Sequence, residues 1–349
     1  MNIFRIITLS AFVAGGFAFN SVYGQIKNED VKVFLAQPLE IHGNFSARAQ
    51  YYQEDSTIGA PDVPEKFLMN GFANVVITKG AFSAGMRYES YRNPILGFDP
   101  RYKGSGFPYR YVQYSKDGLD ITAGNFYEQF GTGLLLRSYE ERNLGVDNAF
   151  DGIRVKYSTK YGLYLKGMVG KQRYFFDLGE GIVRGFDAMF SINEGFKALN
   201  NSRLKVKIGG SFVSKFQEDN NPNYNLPENV GSYAGRLNLQ YKGFGFLGEY
   251  AYKLNDPSAD NNFIYKDGQA MYLSGTYSKK GLGIVLSAKS IDNMSYRSDR
   301  NEGLNNLLIN YNPALTKQHT YNLAATLYPY ASQLMGEVAY QADIIYKLK

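Results

Sequence analysis

The chain has 349 residues, no cysteine and only two histidines, His42 and His319. Without cysteine there is neither a disulfide nor the modified thiol of a bacterial lipoprotein anchor. Two histidines and no thiol leave no zinc-ligand spacing, and no ordered Ser/His or Cys/His set that would mark a hydrolase. Beyond the first two dozen residues, no stretch approaches the roughly 18–20 uninterrupted apolar residues that a spanning helix needs. Charge of one sign is also scarce. A net charge of +6 is too mild to imply nucleic acid as a partner.

The first 24 residues read as a signal peptide rather than as part of the fold. Met1–Arg5 is a short basic start, Ile6–Phe19 is an apolar run broken by small residues, and Val22-Tyr23-Gly24 is a cleavage site. The mature chain is then expected to begin at Gln25 and to form one domain over residues 25–349. What is abundant is tyrosine (30), phenylalanine (24) and glycine (37), in a chain whose mean hydropathy is −0.34. A secreted soluble β protein and an outer-membrane barrel both have such a composition.

Alternation separates the two. Ile41, Gly43, Phe45, Ala47, Ala49 and Tyr51 interleave with His42, Asn44, Ser46, Arg48 and Gln50. Residues 203–212 and 233–241 repeat the pattern. Period two with one apolar face is a strand. These runs extend about 9–11 residues, the length that crosses a bilayer when tilted, against about 5–6 in soluble sandwiches. Tyrosines and phenylalanines gather near strand ends, as they do at the lipid headgroup level. Short turns (Lys79-Gly80, Lys116-Asp117-Gly118, Thr159–Gly162, Lys242-Gly243, Lys279–Gly281) alternate with longer polar segments. The longer ones cover residues 53–65, 92–108, 217–231, 254–268 and 293–318, a register expected to hold along the whole chain. With the amino terminus in the periplasm, the long segments face outside. The fold expected is all-β: an antiparallel transmembrane β-barrel of about 14–16 strands in the bacterial outer membrane. The tally is about 15, with the last strand near Leu334–Tyr346 running outward. Barrels close on even numbers, so either a strand is missing from the tally or the chain stops short of closure.

One stretch departs from the alternation: residues 124–152, "GNFYEQFGTGLLLRSYEERNLGVDNAFDG". Gly124-Asn125-Phe126-Tyr127-Glu128-Gln129-Phe130-Gly131, Arg137-Ser138-Tyr139-Glu140 and Asp147-Asn148-Ala149 resemble the signature region of a Bacteroidota outer-membrane barrel family, domain of unknown function 6029. The resemblance implies location and fold, and it carries no activity. Read from its own residues, the stretch holds carboxylates among arginines, a pattern of charge pairing rather than of general acid–base catalysis. As a calcium loop Asp147–Ser158 fails, because position 3 is Ala149 and position 12 is Ser158. No metal, cofactor or enzymatic activity is expected.

The remaining chemistry lies on the polar face of the strands. Alternation assigns Arg48, Arg87, Glu89, Arg154, Lys156, Lys166, Lys205, Lys207, Arg236, Glu249 and Lys289 to the lumen, together with Asp120, Arg184, Asp187 and Lys253. Bases outnumber acids there, and rings of Arg and Lys favour anion passage. The irregular stretch is then a constriction loop in which Leu134-Leu135-Leu136 packs on apolar surface. Glu128, Arg137, Glu140, Glu141, Arg142, Asp147 and Asp151 tie it to the wall. The function expected is porin-like passive passage of small anionic solutes, in contact with outer-membrane lipid. The alternative is a non-conducting barrel serving as a structural or accessory partner in an outer-membrane assembly for secretion, adhesion or surface polysaccharide. Asn220–Asn229 and Asn301–Asn312 would then be contact loops.

Overall fold

The computed structural model describes residues 36–95, 98–142, 145–315 and 332–347. The expected signal peptide and His319 lie outside them. Among the described residues eighteen strands follow one another in chain order. The first five are β1 (Glu40–Tyr51), β2 (Phe67–Lys79), β3 (Phe82–Asn93), β4 (Gly104–Lys116) and β5 (Leu119–Phe126). Two-residue strands come next: β6 (Gln129–Phe130), β7 (Leu136–Arg137), β8 (Glu140–Glu141) and β9 (Val146–Asp147). Long strands resume with β10 (Phe150–Ser158), β11 (Leu163–Tyr174), β12 (Asp177–Ser191), β13 (Leu204–Phe216) and β14 (Asn229–Tyr241). The last are β15 (Phe244–Lys253), β16 (Gly268–Lys279), β17 (Leu282–Asp292) and β18 (Gly336–Tyr346).

The long strands form one 14-stranded antiparallel sheet in which each pairs with its sequence neighbours. Among the described residues, β1 and β18 each have a single partner, β2 and β17, so the sheet is not closed. Two expectations need correction. Among the described residues the last long strand is the fourteenth, and it pairs antiparallel with β17, Leu282 opposite Tyr346. It therefore runs back toward the short-turn end rather than outward. The alternation of short and long connections also breaks twice. Phe175 and Phe176 alone join β11 to β12 on the long-loop side, with Phe175 at φ 56°. On the short-turn side, residues 192–203 hold the one-turn helix α1 (Ile192–Gly195) between β12 and β13. The other short turns are two to four residues long and bend through left-handed positions such as Asp117 (φ 51°) and Gly118 (φ 82°).

The two faces of the sheet differ in kind. Outward positions are apolar and exposed: Phe45 at 75%, Val338 at 63%, Ile153 at 52%. Inward positions alternate with them and are mostly polar or small, as in Ser232, Ala234, Arg236 and Asn238 of β14. The buried core is not between two sheets. It lies inside the curve of this one, where Phe130, Leu134, Leu135, Leu136, Tyr296 and Ile309 pack against Met168, Val183, Val213, Val230 and Ala251 of the wall.

Two segments supply that filling. The first, residues 127–149, leaves β5 and returns to β10, and holds the ribbons β6–β7 and β8–β9. It reaches Arg87 on β3 and Glu249 on β15, so the sheet curves around it. The second follows β17 and folds as a hairpin over residues 296–309. There Ile309 donates to Tyr296 O at 2.8 Å and Ser298 to Leu307 O at 2.9 Å. Backbone bonds join the two inserts, Arg137 N to Ile309 O at 2.8 Å and Tyr311 N to Gly133 O at 2.9 Å. The segment 293–318, read from sequence as an outer loop, thus turns inward over much of its described length.

Glycines on the inward face make room for these inserts. A Cβ on Gly181 would meet Ser298 O at 2.0 Å, and one on Gly185 would meet the Phe130 ring at 2.7 Å. Such close approach is open only to glycine. The consequence for register is direct. In β12 the inward positions are Gly179, Gly181, Val183, Gly185 and Asp187, and Arg184 points outward, exposed. Its assignment to the lumen is corrected: the inward places beside it are small, and polarity no longer marks the inside.

Candidate functional site

Each cluster in the lumen joins bases of the wall to acids of the inserts or of a neighbouring strand. Nearest the long loops, Glu89 keeps the inward parity of Arg87, and a register shift between Lys171 and Arg173, where β11 meets β12, brings Arg173 inward beside it. Arg173 forks onto Glu89 at 2.6 and 2.9 Å and reaches Asp147 at 2.6 Å. Arg87 binds Glu89 at 2.6 Å and Glu140 at 2.9 Å, and also contacts Asp147. Tyr127 donates to Asp147 at 2.9 Å. Arg87, Glu89 and Arg173 are all less than 5% exposed. Bidentate pairing of this kind offsets the cost of taking the charges out of water.

Glu128 is caged lower down. Lys166 stands 2.8 Å and Lys156 2.9 Å from its carboxylate, with Arg154 at 3.8 Å. Arg154 also meets Asp120 at 3.1 Å. Burial opposes ionisation of Glu128, and the two lysines outweigh it, so its carboxyl is held below the ordinary range. On the far wall Arg236 binds Asp187 at 2.7 Å and donates to Ser211 at 2.8 Å. Glu249 accepts from the Thr132 backbone at 2.7 Å, pinning the glycine turn of the first insert. Lys289 bridges Glu337 of β18 at 2.9 Å and donates to Pro313 O and Ser332.

The other residues of the irregular stretch are divided. Arg142 binds Glu140 at 2.5 Å and lies over the Phe72 ring at 4.8 Å. Arg137 is held between the rings of Tyr311 (4.1 Å) and Tyr139 (5.3 Å). Glu141 is half-buried. Asp151 is not in the insert: it belongs to β10, on the outward parity beside exposed Ile153, and faces Arg110 at 3.5 Å. The strand begins at Phe150, within the stretch read from sequence as irregular, and that places Asp151 in the wall. Arg48 stands exposed on the edge strand β1. Lys205 and Lys207 sit at the short-turn mouth, away from the inserts.

Sequence reasoning passed over Arg173 and Lys215. Lys215 and Asp256 are wholly buried and 2.8 Å apart, with Lys253 beside them donating to Ser295 O. Lys215 shares the parity of Lys205, Lys207 and Ser211, a signal already present in the alternation of β13. Arg173 gives no such signal, because a bulge moved it. Among the described residues no group of His, Asp and Glu could hold a metal ion.

Solved structures of similar topology include a BenF-like porin from Pseudomonas fluorescens Pf-5, with 10% identity, a TM-score of 0.35, and 74% of this chain and 82% of that one covered. Pseudomonas aeruginosa OccK2 (OpdF), in complex with glucuronate, has 9% identity, a TM-score of 0.36, and coverage of 74% and 80%. The outer membrane channel DcaP of Acinetobacter baumannii has 13% identity, a TM-score of 0.33, and coverage of 73% and 78%. Likeness this loose transfers no function. No curated protein matches the chain. A family model does, over residues 5–349, and the chain accordingly belongs to the Family of unknown function (DUF6029).

Proposed function

We propose that the chain is a porin-like β-barrel protein of the bacterial outer membrane. It passes small solutes by diffusion through a lumen narrowed by its own two inserts, with a preference for anions. The inversion of the two faces of the sheet carries this reading: apolar side chains are outside and exposed, ionised ones inside and buried. In water an apolar band of this extent would far exceed the patch a monomer tolerates. In lipid it costs nothing, and strands of about ten residues are long enough to cross. The helices among the described residues are too short and polar to cross a membrane, which says nothing of strands.

Selection is electrostatic and steric, with no covalent step. Most bases packed against the inserts are matched by acids, so the preference for anions falls to Lys205 and Lys207 at the short-turn mouth. The test is single-channel conductance in a planar bilayer under a KCl gradient, comparing the chain with a form lacking residues 134–142. The expected result is a small, steady, chloride-preferring conductance that the deletion enlarges. Silence from both folded proteins would overturn the channel. The second reading, a non-conducting partner in an outer-membrane assembly, draws on the complete burial of Leu135, Leu136, Tyr296 and Ile309, which fill the long-loop half. Co-purification in mild detergent tests it.

A further inference from the structure

The short-turn mouth contains a cavity of about 260 Å³, with no described residue of the inserts in its lining. Four strands build it in register. Lys205 stands opposite Gln240, which stands opposite Gly245, which stands opposite Thr276. One step deeper, Lys207 faces Asn238, then Leu247, then Ser274. Two residues along a strand separate the lysines by about 7 Å, on one face. Gly245 leaves the middle of the outer row open, since a Cβ there would meet Thr276 Oγ1 at 2.6 Å.

The charges here differ from those deeper in the lumen. Lys205 donates to the backbone oxygen of Asn200 at 2.6 Å, and Lys207 lies 5.9 Å from the Tyr164 ring centre. Neither has a carboxylate within 4 Å among the described residues. Their acidic neighbour is Glu194 of α1, which is engaged elsewhere: hydrogen bonds from Tyr164 and Ser191 hold its carboxyl below the ordinary range, with Lys207 and Lys205 adding to the effect. Two ammonium groups beside two amides and two hydroxyls suit a ligand with one anionic end and a hydroxylated body.

We infer that this mouth is a binding site for a hydroxylated anion, a sugar acid or a sugar phosphate. Lys205 and Lys207 take the charged group, and Asn238, Gln240, Ser274 and Thr276 take the hydroxyls. The inference deepens the channel reading and rests on the inward face being a solute-exposed lumen. It is tested without current, by ligand-detected NMR titration of the full chain in detergent. The probes are gluconate, glucose 6-phosphate, glucose and inorganic phosphate.

Gluconate and glucose 6-phosphate are expected to bind, the tighter of the two identifying the anionic group, and glucose not to bind detectably. Lys205→Gln or Lys207→Gln alone should weaken binding about fivefold, and the double variant at least tenfold. Ser274→Ala with Thr276→Ala should abolish the advantage of glucose 6-phosphate over inorganic phosphate. Glu194→Gln should tighten both anions. Equal binding of glucose, unchanged binding by a folded Lys205→Gln/Lys207→Gln double variant, or binding of neither anion overturns the site. A protein that binds these anions yet passes no current would sink the channel and keep the site.

Discussion

The part of the lumen packed against the inserts and the short-turn mouth at β13–β16 are lined by the same sheet, yet they treat charge in opposite ways. In the first, Arg87, Arg173, Lys215 and Arg236 are buried and held by carboxylates within 3 Å. In the second, Lys205 and Lys207 stand beside amides and hydroxyls in an open cavity. Alternation decides which side chains face inward. What those side chains meet is decided by the inserts, which bring Glu128, Glu140 and Asp147 to the wall. A basic strand face is therefore not yet a basic lumen. Matched charge holds a plug in place, and unmatched charge is left for solutes.

If that contrast is real, removing a base from the buried half must cost far more than removing one from the mouth. Arg173→Leu leaves Glu89 buried with Arg87 alone and frees one side of Asp147. Breaking one partner of such a cluster costs about 3–5 kcal/mol, the largest effect expected here. Urea unfolding of the detergent-solubilised protein measures it, and a loss under about 1 kcal/mol would mean the cluster is hydrated. Leu135→Ala probes the apolar side of the same plug. Its side chain is 0% exposed, and truncation there costs about 3 kcal/mol. It should also raise conductance as the insert loosens, whereas the Arg173 variant should make the conductance noisy.

Glu128 sharpens the comparison through pH. Its folded-state carboxyl is held below the ordinary range, so it contributes stability above the unfolded value near pH 4, and that contribution fades as pH falls through the lower folded value. Glu128→Gln should therefore cost about 2 kcal/mol at pH 7 and progressively less below about pH 4. An equal cost at pH 7 and pH 3 would show that Lys156 and Lys166 do not hold it.

Much of this architecture is legible in the sequence, because a strand with one apolar face and one polar face must alternate. An antiparallel sheet of about fourteen to sixteen long strands, nearly all the short turns and an irregular stretch between β5 and β10 follow from that rule, though the tally of about 15 exceeds the fourteen among the described residues by one. Its failures share one cause. The rule assumes that inward means polar, and the inserts make some inward positions small or apolar: Gly181 and Gly185 against Ser298 and Phe130, Val213 and Val230 against Tyr296. Hence Arg184 was placed inside. Residues 293–315 look like an outer loop because their buried groups, Met294, Tyr296, Ile309 and Asn310, are spaced for a hairpin that exists only against the first insert. Bulges hide from any periodic reading, and Arg173, the residue with the largest expected effect, sits on one.

The smallest structural effect is expected at the mouth, and it discriminates best. Lys205→Gln and Lys207→Gln remove charges that, among the described residues, no carboxylate within 4 Å holds. Solvated groups of this kind leave stability nearly unchanged, so the urea midpoint of the double variant should coincide with that of the parent chain. The reversal potential under a KCl gradient should nevertheless move toward that of a cation-preferring pore, and Lys205→Arg/Lys207→Arg should restore it. Arginine keeps the charge while changing the hydrogen-bond geometry, so rescue separates a field effect from a shaped contact. A shifted midpoint with an unmoved reversal potential would make these lysines structural, and the two halves of the lumen would then differ only in how tightly they are packed.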